Sequence, residues 1–117
     1  MTSRRYRAGL AAENQVARHY EALGFTIAAR RLRTPEGEID LIAERPGLVV
    51  FIEVKARKRL GPDSPISEKQ WQRLGLAAES YMLRHTMTGA TPLCRFDAAL
   101  VGSDGRLEVI ENARIVE

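Results

Sequence analysis

Apolar positions recur along this chain with two different periods, and the switches between them mark its elements. Over residues 5–23, a step of about 100° per residue puts Tyr6, Gly9, Leu10, Val16, Ala17, Tyr20 and Leu23 on one face. Arg7, Asn14, Arg18 and Glu21 fall on the other, so a helix is predicted, with Gly24 as its C-terminal cap. Residues 25–33 predict a strand with Phe25 and Ile27 inward, and Thr34-Pro35-Glu36-Gly37 a turn. A second strand follows over 38–44 and a third over 48–57, joined through Pro46-Gly47; residues 61–65 read as a loop. Helical spacing returns over 67–85, where Trp71, Leu74, Ala78, Tyr81 and Met82 form the apolar face and Ser67 with Gln70 resembles a capping box. Residues 93–101 and 106–110 predict two more strands around a hairpin turn at Gly102-Ser103-Asp104-Gly105. The expected fold is α/β (α+β): a central mixed sheet flanked by helices, in the order αβββαββ, as one domain over residues 1–117.

Three charges interrupt this apolar pattern: Asp40, Glu53 and Lys55. Side chains alternate across a strand, so Leu48, Val50, Ile52, Val54 and Ala56 share one face of the third strand, and Val49, Phe51, Glu53, Lys55 and Arg57 the other. In the second strand Ile39, Leu41 and Ala43 share a face, and Asp40, Ile42 and Glu44 its opposite. Asp40 can oppose Glu53 only in the register that sets Glu44 against Val49, with Arg45 to Leu48 as a four-residue loop; that register is the expected one. Two carboxylates beside an ammonium suit a hard divalent cation and the phosphate it polarises. Asp40 and Glu53, with the Val54 carbonyl, are the expected ligands of Mg²⁺ or Mn²⁺, and Lys55 the group that steadies a water or a phosphate charge. Glu13 lies at the centre of the first helix's apolar face, where a carboxylate needs a partner; with that helix expected to pack on the Glu53 face of the sheet, an outer-shell or second-metal role is expected of it. A Glu-x-Lys on a surface strand is common by itself, and Glu13 paired with an arginine is the plain alternative. The combination, with 12 residues between Asp40 and Glu53, carries the expectation.

Composition narrows the class without naming it. The 117 residues are 44% apolar and 28% charged, as in soluble globular domains. No run approaches the ~20 apolar residues of a membrane span, and no apolar signal core follows the basic N-terminus. One cysteine, Cys94, permits no internal disulfide, so a cytoplasmic protein is expected. The net charge of +3 is unevenly placed: Arg30, Arg31 and Arg33 precede the acidic segment, and Arg57, Lys58 and Arg59 follow it. Arg31, Arg33, Arg57, Lys58, Arg59 and Lys69 are therefore the candidate nucleic-acid contacts. His19 and His85 read as ordinary helix residues, Trp71 and Tyr81 as core, and Asp97 as a mid-strand acid bonded to backbone or an arginine. No Gly-rich phosphate loop, Ser-His-Asp set or dinucleotide fingerprint is present.

The segments Gly37-Glu38-Ile39-Asp40-Leu41-Ile42-Ala43 and Val50-Phe51-Ile52-Glu53-Val54-Lys55-Ala56-Arg57 resemble the Asp…Glu-x-Lys core of the restriction-endonuclease-like superfamily. With Gly9-Leu10-Ala11-Ala12-Glu13, Ala17, Tyr20, Gly24-Phe25, the helix from Ser67 to Tyr81 and the strand from Arg95 to Val101, nearly the whole chain resembles the YraN-like family of small bacterial proteins. That family is similar to the archaeal Holliday-junction resolvases, which carry a glutamate on the first helix. The resemblance implies a nuclease-like fold, Glu13, Asp40, Glu53 and Lys55 as catalytic positions, Mg²⁺ or Mn²⁺, and DNA rather than RNA. It also allows a homodimer. Arg30-Arg31-Leu32-Arg33 departs from the family's Arg-Asn pair here, which leaves the role of Arg31 open. The expected activity is metal-dependent phosphodiester hydrolysis in DNA, at branched or damaged structures; the alternative is a non-catalytic nucleic-acid-binding module or adaptor on the same scaffold.

Overall fold

The computed structural model describes residues 4–57, 66–85 and 92–113, with side chains from residue 9 onward and excepting residue 57. Its elements are α1 (Arg4–Ala22), β1 (Thr26–Thr34), β2 (Gly37–Arg45), β3 (Leu48–Arg57), α2 (Glu68–His85), β4 (Leu93–Gly102) and β5 (Leu107–Ile110). The order αβββαββ is the expected one. Five strands form one mixed sheet in the order β1-β2-β3-β4-β5. Only β3 and β4 run parallel, and α2 provides the crossover that a parallel pair requires.

The helices cover opposite faces. α1 buries Ala12, Val16, Ala17 and Tyr20 against Leu41, Ala43, Val50, Ile52 and Ala99. α2 buries Trp71, Leu74, Ala77, Ala78 and Tyr81 against Ile39, Ile42, Val49, Phe51 and Ala98. Sequence periodicity located these stripes closely. Leu23 is an exception: it lies past the helix end and is half exposed.

Both predicted caps form. Gly24 adopts φ 93°, and its N–H donates to the Glu21 carbonyl while the Phe25 N–H donates to that of Tyr20. This is the Schellman arrangement, sealed by the Tyr20–Phe25 ring contact at 5.5 Å. At α2 the Ser67 N–H donates to Gln70 Oε1 (2.9 Å), and the Gln70 N–H donates to Ser67 Oγ (3.1 Å). Replacing Ser67 by alanine should cost about 1 kcal/mol in urea denaturation. A loss below about 0.3 kcal/mol would mean that packing of Trp71 alone starts the helix.

The β2–β3 register is the expected one, running from Leu41↔Ile52 to Arg45↔Leu48. The turn is tighter than expected, however. Arg45 and Leu48 pair, so only Pro46 and Gly47 lie outside the ladder, with Gly47 at φ 81°. Proline fixes the first central residue and glycine accepts the positive φ of the second, so two residues suffice.

Candidate metal and phosphate site

β2 and β3 pair only as far as Leu41 and Ile52, whereas β3 stays paired with β4 to its end. The sheet therefore forks where the expected acidic residues begin. Asp40 stands in the fork. Its Oδ2 accepts the Val54 N–H at 2.8 Å, so a side chain replaces a ladder bond. A strand residue's N–H and C=O point to the same neighbour, so the Val54 carbonyl faces the fork as well. Glu53 lies within hydrogen-bonding reach of Asp40. Lys55 Nζ is 3.4 Å from Glu53 Oε1. Asp40, Glu53, Lys55 and the backbone of Val54 thus meet at one place.

Electrostatics there favour a cation. Burial, and then the Glu53 charge, push the Asp40 carboxyl up to about 7, against the opposing effects of the Val54 N–H and Lys55. Burial raises Glu53 too, with Lys55 acting against it. With Lys55 beside Glu53 as the neighbouring cation, burial disfavours a full negative charge on both acids at once. A divalent cation with several retained waters suits such a pair. The donor set is small: among the described residues, no group of three or more His, Cys, Asp or Glu side chains converges to hold a metal.

Glu13 enters differently from expectation. It was expected from a helix on the Glu53 face, yet α1 packs on the opposite face, with Leu41 and Ile52. Glu53 alternates with Phe51, on the α2 side. Glu13 is buried, at 7% exposure, and its charge is felt at Asp40. Its carboxylate is clasped by Arg31, whose Nε lies 2.9 Å from each oxygen and whose Nη2 lies 2.6 Å from Oε2.

A double irregularity in β1 and β2 creates this clasp. Their ladder passes from Arg30↔Leu41 to Leu32↔Ile39 and skips Arg31 and Asp40. Arg31 has φ 46°, a left-handed conformation costing about 1–2 kcal/mol for a side-chain-bearing residue. Alternation slips on both strands. Ile39, expected beside Leu41, joins Ile42 on the α2 side. Arg30 and Arg31 both turn to α1, with Arg30 Nη1 donating to Asn14 Oδ1 at 2.8 Å. Nothing local in the sequence signals this, because arginine has no preference for positive φ.

The remaining candidate cations are spread out. Arg33 is exposed, with Glu38 at 3.8 Å. Lys69 is exposed on the first turn of α2. The Arg73 Cβ approaches Gly37, so that end of α2 lies over the end of β2 that carries Asp40. The Arg57 side chain, Lys58 and Arg59 lie outside the described residues, as does the loop at 61–65.

A buried polar cluster on the α1 side had been read only in part. Asp97, fully buried, accepts from the Tyr20 hydroxyl (2.6 Å), Arg95 Nε and Nη2 (both 2.9 Å) and the Asn112 N–H (2.9 Å). Burial, then the hydrogen bond to Asp97, push the Tyr20 hydroxyl far above its usual range. Arg95, two residues earlier on the same strand face, was the available sequence signal; Tyr20 and Asn112 were not foreseeable. This carboxylate is saturated with donors and takes no part in the fork.

Comparison with known proteins finds relatives along nearly the whole chain. A UPF0102 protein of Ruegeria pomeroyi is 44% identical over 112 residues, covering 95% of this chain and 90% of its own length. One from Cereibacter sphaeroides is 44% identical over 109 residues, covering 92% of each chain. One from Rhodopseudomonas palustris is 44% identical over 97 residues, covering 82% of this chain and 74% of its own. The family described as "Uncharacterised protein family UPF0102" matches residues 12–101, a span that begins just before Glu13 and takes in the whole fork and β4 as far as Val101. The chain belongs to the UPF0102 family, the YraN-like family that its motifs resemble.

Proposed function

We propose that this protein is a divalent-cation-dependent phosphodiesterase acting on DNA. The observation that carries this is the pair of partly buried carboxylates at the fork: Asp40, held by the Val54 N–H, and Glu53, 3.4 Å from Lys55, with burial raising both carboxyls. Such crowding is unfavourable in a metal-free protein and is relieved by a cation, which is the expected signature of a site built for one. Asp40, Glu53 and the Val54 carbonyl would hold Mg²⁺ or Mn²⁺. The cation would supply Lewis acidity toward a phosphate oxygen and lower the pKa of a water. The chain's own groups do the rest. The Val54 N–H fixes the orientation of Asp40. Lys55, partly buried against Glu53, is placed to donate to a phosphate oxygen as negative charge grows on it. Exposed Arg33 and Lys69 supply positive charge for a polyanion. DNA as the polymer, and branched or damaged DNA in particular, rests on the resemblance to junction resolvases.

A second reading is favoured by one observation: no third acid among the described residues joins the pair. On that reading the scaffold binds nucleic acid without cutting it, and acts alone or as an adaptor. One experiment separates the two. The purified chain is incubated with Mn²⁺ or Mg²⁺ and branched, single-stranded and duplex DNAs, beside Asp40→Asn and Glu53→Gln. Metal-dependent cleavage that falls by at least about 10³-fold in both variants is the expected result. Salt-sensitive binding without cleavage selects the second reading. Cleavage unchanged in both variants would show that another protein is responsible.

A further inference from the structure

Arg31 and the cation proposed for the fork want the same carboxylate. Arg31 lies opposite Asp40 at the skipped step of the β1–β2 ladder, and it commits both oxygens of Glu13 to one guanidinium. The clasp is made by a residue held in a left-handed conformation, at the point where the β1–β2 ladder skips Arg31 and Asp40 together. Backbone strain of this kind persists where the surroundings hold it, and it gathers at sites that change state. The Arg31 side chain is 32% exposed, while that of Glu13 is 10% exposed. Of the two partners, the arginine is the one with a path to solvent.

We infer, building on the metal-site reading above, that Arg31 is a positioning residue that competes with the divalent cation for Glu13. In the metal-free protein Arg31 holds Glu13 and offsets its negative charge beside the Asp40–Glu53 pair. When the cation binds, Glu13 exchanges its guanidinium partner for the cation's field. Arg31 is then released toward solvent, where the two non-bridging oxygens of a phosphodiester are the natural bidentate partners for its fork of donors. Metal entry and phosphate capture are thereby coupled through one ion pair.

The test is a double-mutant cycle read by calorimetric Mn²⁺ binding to the full chain, without DNA. It uses wild type, Arg31→Gln, Glu13→Gln and the double variant, with Asp40→Asn as the site control. Arg31→Gln is expected to tighten Mn²⁺ binding about 10-fold, and the same change in the Glu13→Gln background to shift it less than about 2-fold. Unchanged or weaker binding by Arg31→Gln overturns the inference. An equal gain in both backgrounds also overturns it, because Arg31 would then act only as a distant charge. Wild-type binding that survives Asp40→Asn unaltered, or is absent altogether, removes the metal site itself and the exchange with it. Binding lost in Asp40→Asn but indifferent to Arg31 removes the exchange alone. Thermal melting accompanies each variant. If Arg31→Gln does not fold, Arg31→Lys replaces it. Lysine keeps the charge but cannot clasp both oxygens, so a smaller tightening is expected, and none would count against the exchange.

Discussion

Without divalent cations, the protein should lose stability as pH rises from about 4 to about 7, and Asp40→Asn should abolish most of that loss. The sign follows from the proton count. The Asp40 carboxyl is raised to about 7 in the folded state, from 3.8 for the free side chain. Between those values the folded protein holds a proton that the unfolded chain has released, so rising pH favours unfolding. Above about 7 both states are ionised and the slope vanishes. The full span corresponds to at most about 4 kcal/mol. Glu53, also raised by burial, adds a contribution of the same sign. Urea denaturation in a chelating buffer at pH 5, 6, 7 and 8 reads the effect as a difference between wild type and Asp40→Asn. At pH 8 the variant should be the more stable protein although it lacks the carboxylate proposed to hold a metal. Mn²⁺ at about 100 times its dissociation constant should restore about 2.7 kcal/mol to wild type and none to the variant. Parallel pH profiles for the two proteins would show that Asp40 titrates as an ordinary acid, and the electrostatic case for a cation in the fork would fail.

Asp97→Ala should be the most damaging single change for stability, costing about 3–5 kcal/mol. The substitution strands the Tyr20 hydroxyl, the Arg95 guanidinium and the Asn112 N–H at once. Among the described residues, Arg95 then has Glu111, at 3.8 Å, as a replacement partner. At several degrees per kcal/mol for a chain of this size, the melting temperature should fall by roughly 10–20 °C. Asp97→Asn keeps the shape and part of the hydrogen bonding, so an intermediate loss is expected. Replacing Arg95 as well should recover part of the Asp97→Ala loss, since the stranded cation goes too. A melting point within about 2 °C of wild type for Asp97→Ala would mean that water reaches and satisfies all three donors. Mn²⁺ binding by whatever protein remains folded should be unaffected, which separates this cluster from the fork.

The elements were legible because their signals are local. Helical spacing in α1 and α2, period two in β3, the Ser67–Gln70 box and Gly24 each reside within a few residues. The β2–β3 register was legible through chemistry: only one alignment sets Asp40 against Glu53, and the pairs from Leu41↔Ile52 onward obey it. Hidden from the sequence was the side of the sheet that α1 covers, because both faces of β3 begin apolar. Hidden too was the slip at Arg31 and Asp40. Strict alternation would have kept the Glu13 carboxylate and the Asp40–Glu53 pair on opposite faces, and a two-strand irregularity let them sense each other. The Asp97 cluster joins residues 77 and 15 positions apart, beyond the reach of any window read along the chain.

Asp40 receives its backbone hydrogen bond from the Val54 amide, at a place where the sheet has already opened. The strength of that bond depends on whether its acceptor carries charge, so the nitrogen and proton resonances of one peptide group become a spectroscopic gauge of the carboxylate. Following that single cross-peak would report events in the fork without altering any side chain there.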